Sequence, residues 1–359
     1  MPKPAQVPTE SPWTRRSLAD LLSEHGLSGA AETPFPNDGW SGAALTALER
    51  DGRRFILKRT SWSMDWIARS TRDHALREAV LAAAPVPYDP PLASAHLGAA
   101  ADGTAAAILM PDLSAWLLHW DQGDGSSRAI DEEALDRVLR AMAAVHLLPW
   151  DQLTSTVGLD WPWCPIRERV QLLTRRSAER YRAGGLWVGE RFLNGWAAFD
   201  RSAPAGAADL VASLAVDPQP LLDALARLPA TGLHGDLKLA NVALLPTGTA
   251  AIIDWQMAAM APIALELGWF LVANVAQLPD PPDRTLERYR DALTAGGGDA
   301  VAGDWDAQRD LAMIIGLLLR GWRKGLDAEA GVTLPTGATA ADDLAWWCAA
   351  AVEAAARRL

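Results

Sequence analysis

The stretch that most limits what this chain can be is residues 233–254, LHGDLKLANVALLPTGTAAIID. His234, Asp236, Lys238 and Asn241 interrupt an apolar run, and Asp254 closes the next one. Between Asn241 and Asp254, the short apolar segments VALL and AAII flank the turn sequence PTGT, which predicts a β-hairpin. A hairpin returns the chain to its starting end, so Asn241 just before it and Asp254 just after it can meet. One carboxylate and one amide oxygen there make a hard-oxygen pair suited to Mg2+. Asp236, in the loop five residues before Asn241, is then free to face whatever the metal holds. A metal on phosphates, with a carboxylate orienting an attacking hydroxyl, is the arrangement phosphoryl transfer needs.

The chain around this stretch changes character once. Residues 1–16, with prolines at 2, 4, 8 and 12, read as a loose tail, and RRSLADLLSEHGL reads as a short helix ended by Gly26. AALTALER and RRFILKRT are joined by Asp51-Gly52, a strong hairpin signal. A helix is expected over residues 71–84, stopped by Pro85, followed by strands in PLASAHLGA and TAAAILM around Asp102-Gly103. From residue 114 onward helices dominate, among them DEEALDRVLRAMAAVHLL, IRERVQLLTRRSAERYRAG, PLLDALARL and two C-terminal helices over 306–324 and 340–358. The expected division is a tail over 1–16, a small β-rich lobe over 17–112 and a larger helical lobe over 113–359, with a cleft between the lobes.

Composition excludes several classes. A net charge of −11 and a pI near 5.0 argue against a nucleic-acid partner. The two cysteines, Cys164 and Cys348, form no CxxC pair, so neither a zinc site nor a disulfide framework is indicated and a reducing compartment is the default. The N-terminus lacks the apolar core of a signal peptide, and the longest apolar runs, such as LAMIIGLLL, fall short of the ~20 residues that span a membrane. A cytoplasmic protein without membrane contact is expected.

HGDLKLAN…IIDW resembles the catalytic loop and metal segment of the aminoglycoside phosphotransferase and choline kinase family. The resemblance implies an α+β, bilobal, protein-kinase-like fold. It also implies Mg2+ as cofactor and ATP or GTP as co-substrate. By the same resemblance Asp236 is the catalytic carboxylate, Lys238 a γ-phosphate contact, and Asn241 and Asp254 the metal ligands. The strand lysine that holds the α- and β-phosphates falls on Lys58 in RFILKRT, and its helix partner on Glu78 in ALREAVL, with Asp65 and Asp73 as competing acids. The phosphate-covering loop falls on NDGWSGAAL, with Gly39, Ser41 and Gly42; it does not match GxGxxG. ILMPDL is similar to the family's hinge, so adenine would meet the segment Met110–Leu113, with the Pro111 carbonyl as acceptor and the Leu113 N–H as donor, since Pro111 has no N–H of its own. His146 matches a buried scaffold histidine and His234 a loop brace. Where relatives carry Asp-Leu-Ala, this chain has Glu266-Leu267-Gly268, and Glu266 is expected to replace the bracing aspartate.

The resemblance covers roughly residues 30–280 and names no acceptor. An amino sugar, an aminoglycoside-like antibiotic, an amino alcohol or a related hydroxyl-bearing metabolite all stay open. Candidate pocket residues are scattered through GLDWPWCP, GGLWVGERF and GWRKGLDAE. The alternative to a small-molecule kinase is a nucleotide-binding pseudokinase acting as a regulatory partner. A protein kinase is a weaker third reading.

Overall fold

The computed structural model describes residues 11–36, 39–84, 86–118, 129–157 and 161–359. Residues 1–10 of the expected tail, the first two residues of NDGWSGAAL, Pro85 and the first three of GLDWPWCP lie outside the described residues. The strands, in chain order, are β1 (Ala31–Pro34), β2 (Ala44–Arg50), β3 (Arg53–Thr60), β4 (Leu92–Ala93), β5 (Gly98–Asp102), β6 (Ala105–Pro111), β7 (Thr231–Leu233), β8 (Val242–Leu244), β9 (Ala250–Ile252) and β10 (Ala259–Ala261). The chain divides into two compact units. One comprises Met1–Leu118, Pro149–Pro165 and Asn241–Ala258; the other comprises His119–Leu148, Ile166–Ala240 and Ala259–Leu359. Among the described residues no helix is long and apolar enough to cross a membrane.

The first unit is built on an antiparallel sheet of order β1-β2-β3-β6-β5. Asp51 and Gly52 both have positive φ, 51° and 72°, and pair Arg50 with Arg53 across a two-residue turn. Such a turn matches the twist of the flanking strands, which fixes the β2–β3 register. One face of the sheet buries Leu48, Phe55, Leu57, Ala107 and Leu109 with Leu21 and Leu27. A second, smaller sheet, β4-β9-β8, contains the hairpin of residues 242–252, with Val242 opposite Ile252. Trp13, in a short 3-10 turn over Pro12–Arg15, is buried and donates its indole N–H to Ala75 O at 2.8 Å.

Two local expectations are corrected. The helix expected over 71–84 is confined to Arg77–Ala83, with a separate short helix over Trp66–Ser70. Both Asp73 carboxylate oxygens accept the Arg77 N–H at 2.9 Å, and Arg72 and Leu76 turn left-handed. A side chain that captures a backbone donor in this way competes with the helix ladder and starts the helix later. The strand expected over PLASAHLGA is broken because Ser94 Oγ donates to His96 O and accepts its N–H. Its two remnants are β4 and β5.

The second unit is helical, with β7 and β10 paired antiparallel. Its long helix, Trp305–Glu329, packs against Ala264–Ala273, Trp187–Ser202 and Ala340–Arg358. Every residue of Ala264–Ala273 is buried, as an apolar-all-round helix must be. Gly268 permits this approach, since a Cβ there would lie 2.5 Å from Ala312 O.

Candidate functional site

In the first unit the strand lysine, the helix glutamate and the aspartate after the hairpin converge. Lys58 Nζ lies 2.6 Å from Glu78 Oε2 and 2.7 Å from Asp254 Oδ1. The other Glu78 oxygen accepts the Asp254 N–H at 3.2 Å and faces His96 Nε2 at 3.5 Å. Asp254 achieves this by adopting a left-handed backbone, φ 69° and ψ 53°. That conformation is uncommon for a residue with a Cβ, though aspartate tolerates it better than most. It turns the chain out of β9 while directing the carboxylate to Lys58 and the N–H to Glu78.

Burial opposes the charge on Lys58, but the Asp254 and Glu78 carboxylates outweigh it and hold the ammonium well above the ordinary lysine range. Burial likewise acts to raise Glu78, but Lys58 and His96 bring its carboxyl down to about 2. The competing acids do other work. Asp65 Oδ1 caps the helix Trp66–Ser70, accepting from Ile67 N at 2.7 Å and Ala68 N at 3.0 Å, and burial pushes its carboxyl up to about 6. Asp73 accepts the first N–H of the helix that carries Glu78 and pairs with Arg77 at 3.6 Å.

The hairpin's register determines where Asn241 sits. Ile253 N donates to Asn241 O at 2.9 Å, which extends the Val242–Ile252 pairing by one residue. Asn241 therefore lies opposite the residue before Asp254. Among the described residues there is no group of three or more His, Cys, Asp or Glu able to hold a metal. A carboxylate plus an amide oxygen fits Mg2+, which usually takes one or two protein ligands and completes its octahedron with waters and substrate phosphates.

Two further parts of the first unit hold the residues expected at the phosphate-covering loop and the hinge. Gly42, at φ 97°, passes so close to residues 61–66 that a Cβ would lie 2.6 Å from Met64 O. Trp66 anchors the same loop, its indole N–H donating to Trp40 O at 2.6 Å and its backbone N–H to Ser41 O at 3.2 Å. Ser41 is buried, and Gly39 begins the described part of this loop. On β6, Met110 pairs with Ile56 and Pro111 with Phe55, while Asp112 N donates to Arg54 O at 3.4 Å. Bonding alternates along an antiparallel ladder. The backbone of Pro111 therefore turns away from β3, where its missing N–H costs no ladder bond. Leu113 is buried and accepts the N–H groups of Trp116 and Leu117.

In the second unit β7 leads into the HGD loop, whose conformation is held from several elements. Glu266 Oε1 accepts Gly235 N at 2.6 Å, and Oε2 accepts His234 N at 3.1 Å while contacting His146 Nε2 at 2.9 Å. His146 Nδ1 is 2.6 Å from the Tyr289 hydroxyl. His234 Nδ1 accepts the Asp236 N–H at 3.2 Å, and Asn274 Oδ1 accepts Leu239 N at 2.8 Å. Asp236 itself is only 3% exposed, and Lys238 Nζ stands 3.3 Å from its Oδ2. Burial acts to raise Glu266, but His146, His234 and the Gly235 N–H hold its carboxyl below the usual range.

Glu266→Ala should therefore strand two buried N–H groups and an imidazole, destabilising the fold by about 3–5 kcal/mol. The denaturant midpoint reads this, and an unchanged midpoint would remove the bracing role. The lowered pKa also determines a pH effect. This carboxylate's contribution is complete above the unfolded value near 4.5 and is lost as pH falls through the lower folded value. Glu266→Gln should flatten that part of the acid limb.

Sequence reasoning missed Arg169. It is 1% exposed, donates through Nε to Gly235 O at 2.8 Å, and lies with its guanidinium carbon 4.7 Å over the Trp269 ring. The available signal was its register, because 166, 169, 170 and 173 share one helix stripe with three apolar residues. Arg77 was missed as well. Its guanidinium donates to Gln256 O, Thr71 O and Pro162 O, tying the segment after Asp254 to the helix carrying Glu78.

A β-sheet unit carrying the Lys58–Glu78–Asp254 cluster, and a helical unit bracing an HGD loop, define a phosphotransferase of kinase-like α+β fold that acts on hydroxyl acceptors. The chain belongs to the phosphotransferase enzyme family, whose sequence model matches residues 32–311. Among solved structures it is similar to an aminoglycoside-3′-phosphotransferase of type VIII, at 21% identity over 82% of this chain and 94% of that one, with a TM-score of 0.42. It is also similar to a microcompartment-associated aminopropanol kinase, at 14% identity over 92% of each chain and a TM-score of 0.43. A third is the choline kinase LicA from Streptococcus pneumoniae, at 12% identity over 92% of this chain and 98% of that one, with a TM-score of 0.45. No curated protein matches the sequence.

Proposed function

We propose that this protein transfers the γ-phosphoryl group of ATP or GTP to a hydroxyl of a small molecule. The observation that carries this reading is the Lys58 ammonium clasped by Glu78 and Asp254. A compact, firmly charged lysine fixed by a helix carboxylate suits the nucleotide's phosphates. Asn241 and Asp254 would hold Mg2+, which when bound would neutralise charge on the phosphate oxygens. Asp236 orients the acceptor hydroxyl and receives its proton as the oxygen attacks the γ-phosphorus and the bond to the nucleoside diphosphate breaks. Lys238, half-buried beside it, offsets charge on the group in transit. The Gly39, Ser41 and Gly42 loop would cover the phosphates, and the Met110–Leu113 segment would receive the base through the Pro111 carbonyl and the Leu113 N–H.

A small acceptor is favoured by the chain length after Asp254. Only residues 255–263 separate it from the helix Ala264–Ala273, and they are occupied by a 3-10 turn and β10. A peptide-docking segment of some twenty to thirty residues has no place there. The helix-rich chain between AVHLLPW and DRSAPAG, with the two C-terminal helices, has the size expected of walls for a small-ligand site. Labelled ATP or GTP offered against a panel of small hydroxyl compounds and against mixed peptides should label small molecules. Stoichiometric label on peptides, with none on any small molecule, would overturn this reading.

A further inference from the structure

The break in the strand expected over PLASAHLGA delivers one side chain to the Lys58 cluster. β4 ends at Ala93 and β5 begins at Gly98. Between them Ser94 Oγ donates to His96 O at 2.7 Å and accepts the His96 N–H at 3.2 Å. Leu97 N then donates to Leu109 O at 2.8 Å, which joins the chain to β6. Ala99 of β5 pairs with Ile108 of β6, and Ile108 pairs with Lys58 of β3. His96 thus stands at the start of a strand two places from Lys58, and the helix Arg77–Ala83 packs on that strand.

The His96 side chain is 4% exposed and that of Glu78 3%. His96 Nε2 lies 3.5 Å from Glu78 Oε1 and has no hydrogen-bonded partner among the described residues. A buried polar atom in that state is uncommon and calls for a reason. Burial acts to raise the Glu78 carboxyl, but Lys58 and then His96 bring it down to about 2. Glu78 is therefore ionised near neutral pH and offers only acceptors. A ring nitrogen facing it must carry a hydrogen, because a bare lone pair would meet a negative charge. This holds whether the ring is neutral or protonated. Glu78 is then approached from three sides, by Lys58 Nζ at Oε2 and by the Asp254 N–H and His96 at Oε1.

We propose that His96 is a positioning residue for the nucleotide: its Nε2–H holds Glu78 Oε1, so that Oε2 keeps the Lys58 ammonium in place as phosphate engages it. The inference rests on the reading that Lys58 binds the phosphates. Two carboxylates already share Lys58, and phosphate oxygens compete with both for its three donors. A donor on the far oxygen of Glu78 keeps that carboxylate from turning away. Hydrogen bonds at reacting sites often tighten as substrate is engaged, and 3.5 Å leaves room for that.

The test is calorimetric titration of MgATP and MgGTP into the full chain and its variants. Lys58→Met should weaken nucleotide binding about tenfold or more, the value of a hydrogen bond to a charged group. His96→Met keeps bulk, removes the donor and should weaken binding about 3–10-fold, the worth of one ordinary hydrogen bond. His96→Gln, which restores an N–H donor, should recover most of that loss. In a Glu78→Met background, His96→Met should cost less than about twofold, because the carboxylate through which it acts is gone. A purely structural His96 would cost the same in both backgrounds, and that result overturns the proposal. Nitrogen NMR of the wild-type imidazole needs no variant to fold and should show a hydrogen on Nε2; a bare Nε2 overturns the proposal as well. Wild-type affinity in His96→Met beside a weakened Lys58→Met overturns it and leaves the phosphate reading of Lys58 standing. Wild-type affinity in Lys58→Met overturns that reading, and this proposal with it.

Discussion

Asp236→Ala should lower turnover of the true acceptor by about 10²–10⁴-fold, the usual worth of a positioned proton acceptor. Nucleotide affinity should change little, because Lys58, Glu78 and Asp254 are untouched. The loop should keep its shape, since Glu266, His234 and Asn274 accept the N–H groups of residues 234, 235, 236 and 239. Asp236→Asn preserves the volume and should show nearly the same loss, separating charge and basicity from packing. Single-turnover kinetics, with nucleotide binding measured in parallel, make the comparison. Turnover within tenfold of wild type would remove Asp236 from the role.

Asp254→Ala should cost Mg2+-dependent nucleotide binding about 10²-fold or more, because losing even an outer partner of a metal ligand costs about 10–100-fold. Asn241→Ala should be milder, since it deletes a dipole and not a charge. Asp254→Ala also leaves Lys58 with Glu78 as its sole carboxylate partner of the pair it now has, so nucleotide affinity should fall even where Mg2+ is saturating. Calorimetric titration of nucleotide at several Mg2+ concentrations reads both effects. An unchanged Mg2+ dependence in Asp254→Ala would sink the assignment of that residue.

The hairpin of residues 242–252 and the Asp51-Gly52 turn were legible in the sequence because both are local. Turn residues and short apolar runs specify a two-strand register without outside help. The apolar pattern over 71–84 suits a helix throughout, but the helix starts only at Arg77 because one side chain decides where it begins. Asp73 takes the Arg77 N–H, and periodicity carries no record of that. Choosing among Asp65, Asp73 and Glu78 as partner for Lys58 had the same character. All three acids lie within reach along the chain, and only folding showed that Asp65 caps one helix and Asp73 takes the first N–H of another.

Sequence by itself determined the family, the order of the motif residues and the meeting of Asn241 with the end of β9, since these depend on residue identity and short-range spacing. Tertiary structure alone decided that Glu266 spans two backbone N–H groups and His146, across 32 and 120 residues of chain. It also decided that Arg169 and Arg320 share the Trp269 ring. A buried charge is tolerated only where distant groups satisfy it, and which distant groups arrive together is settled by the packing of whole helices, a property that no single segment contains.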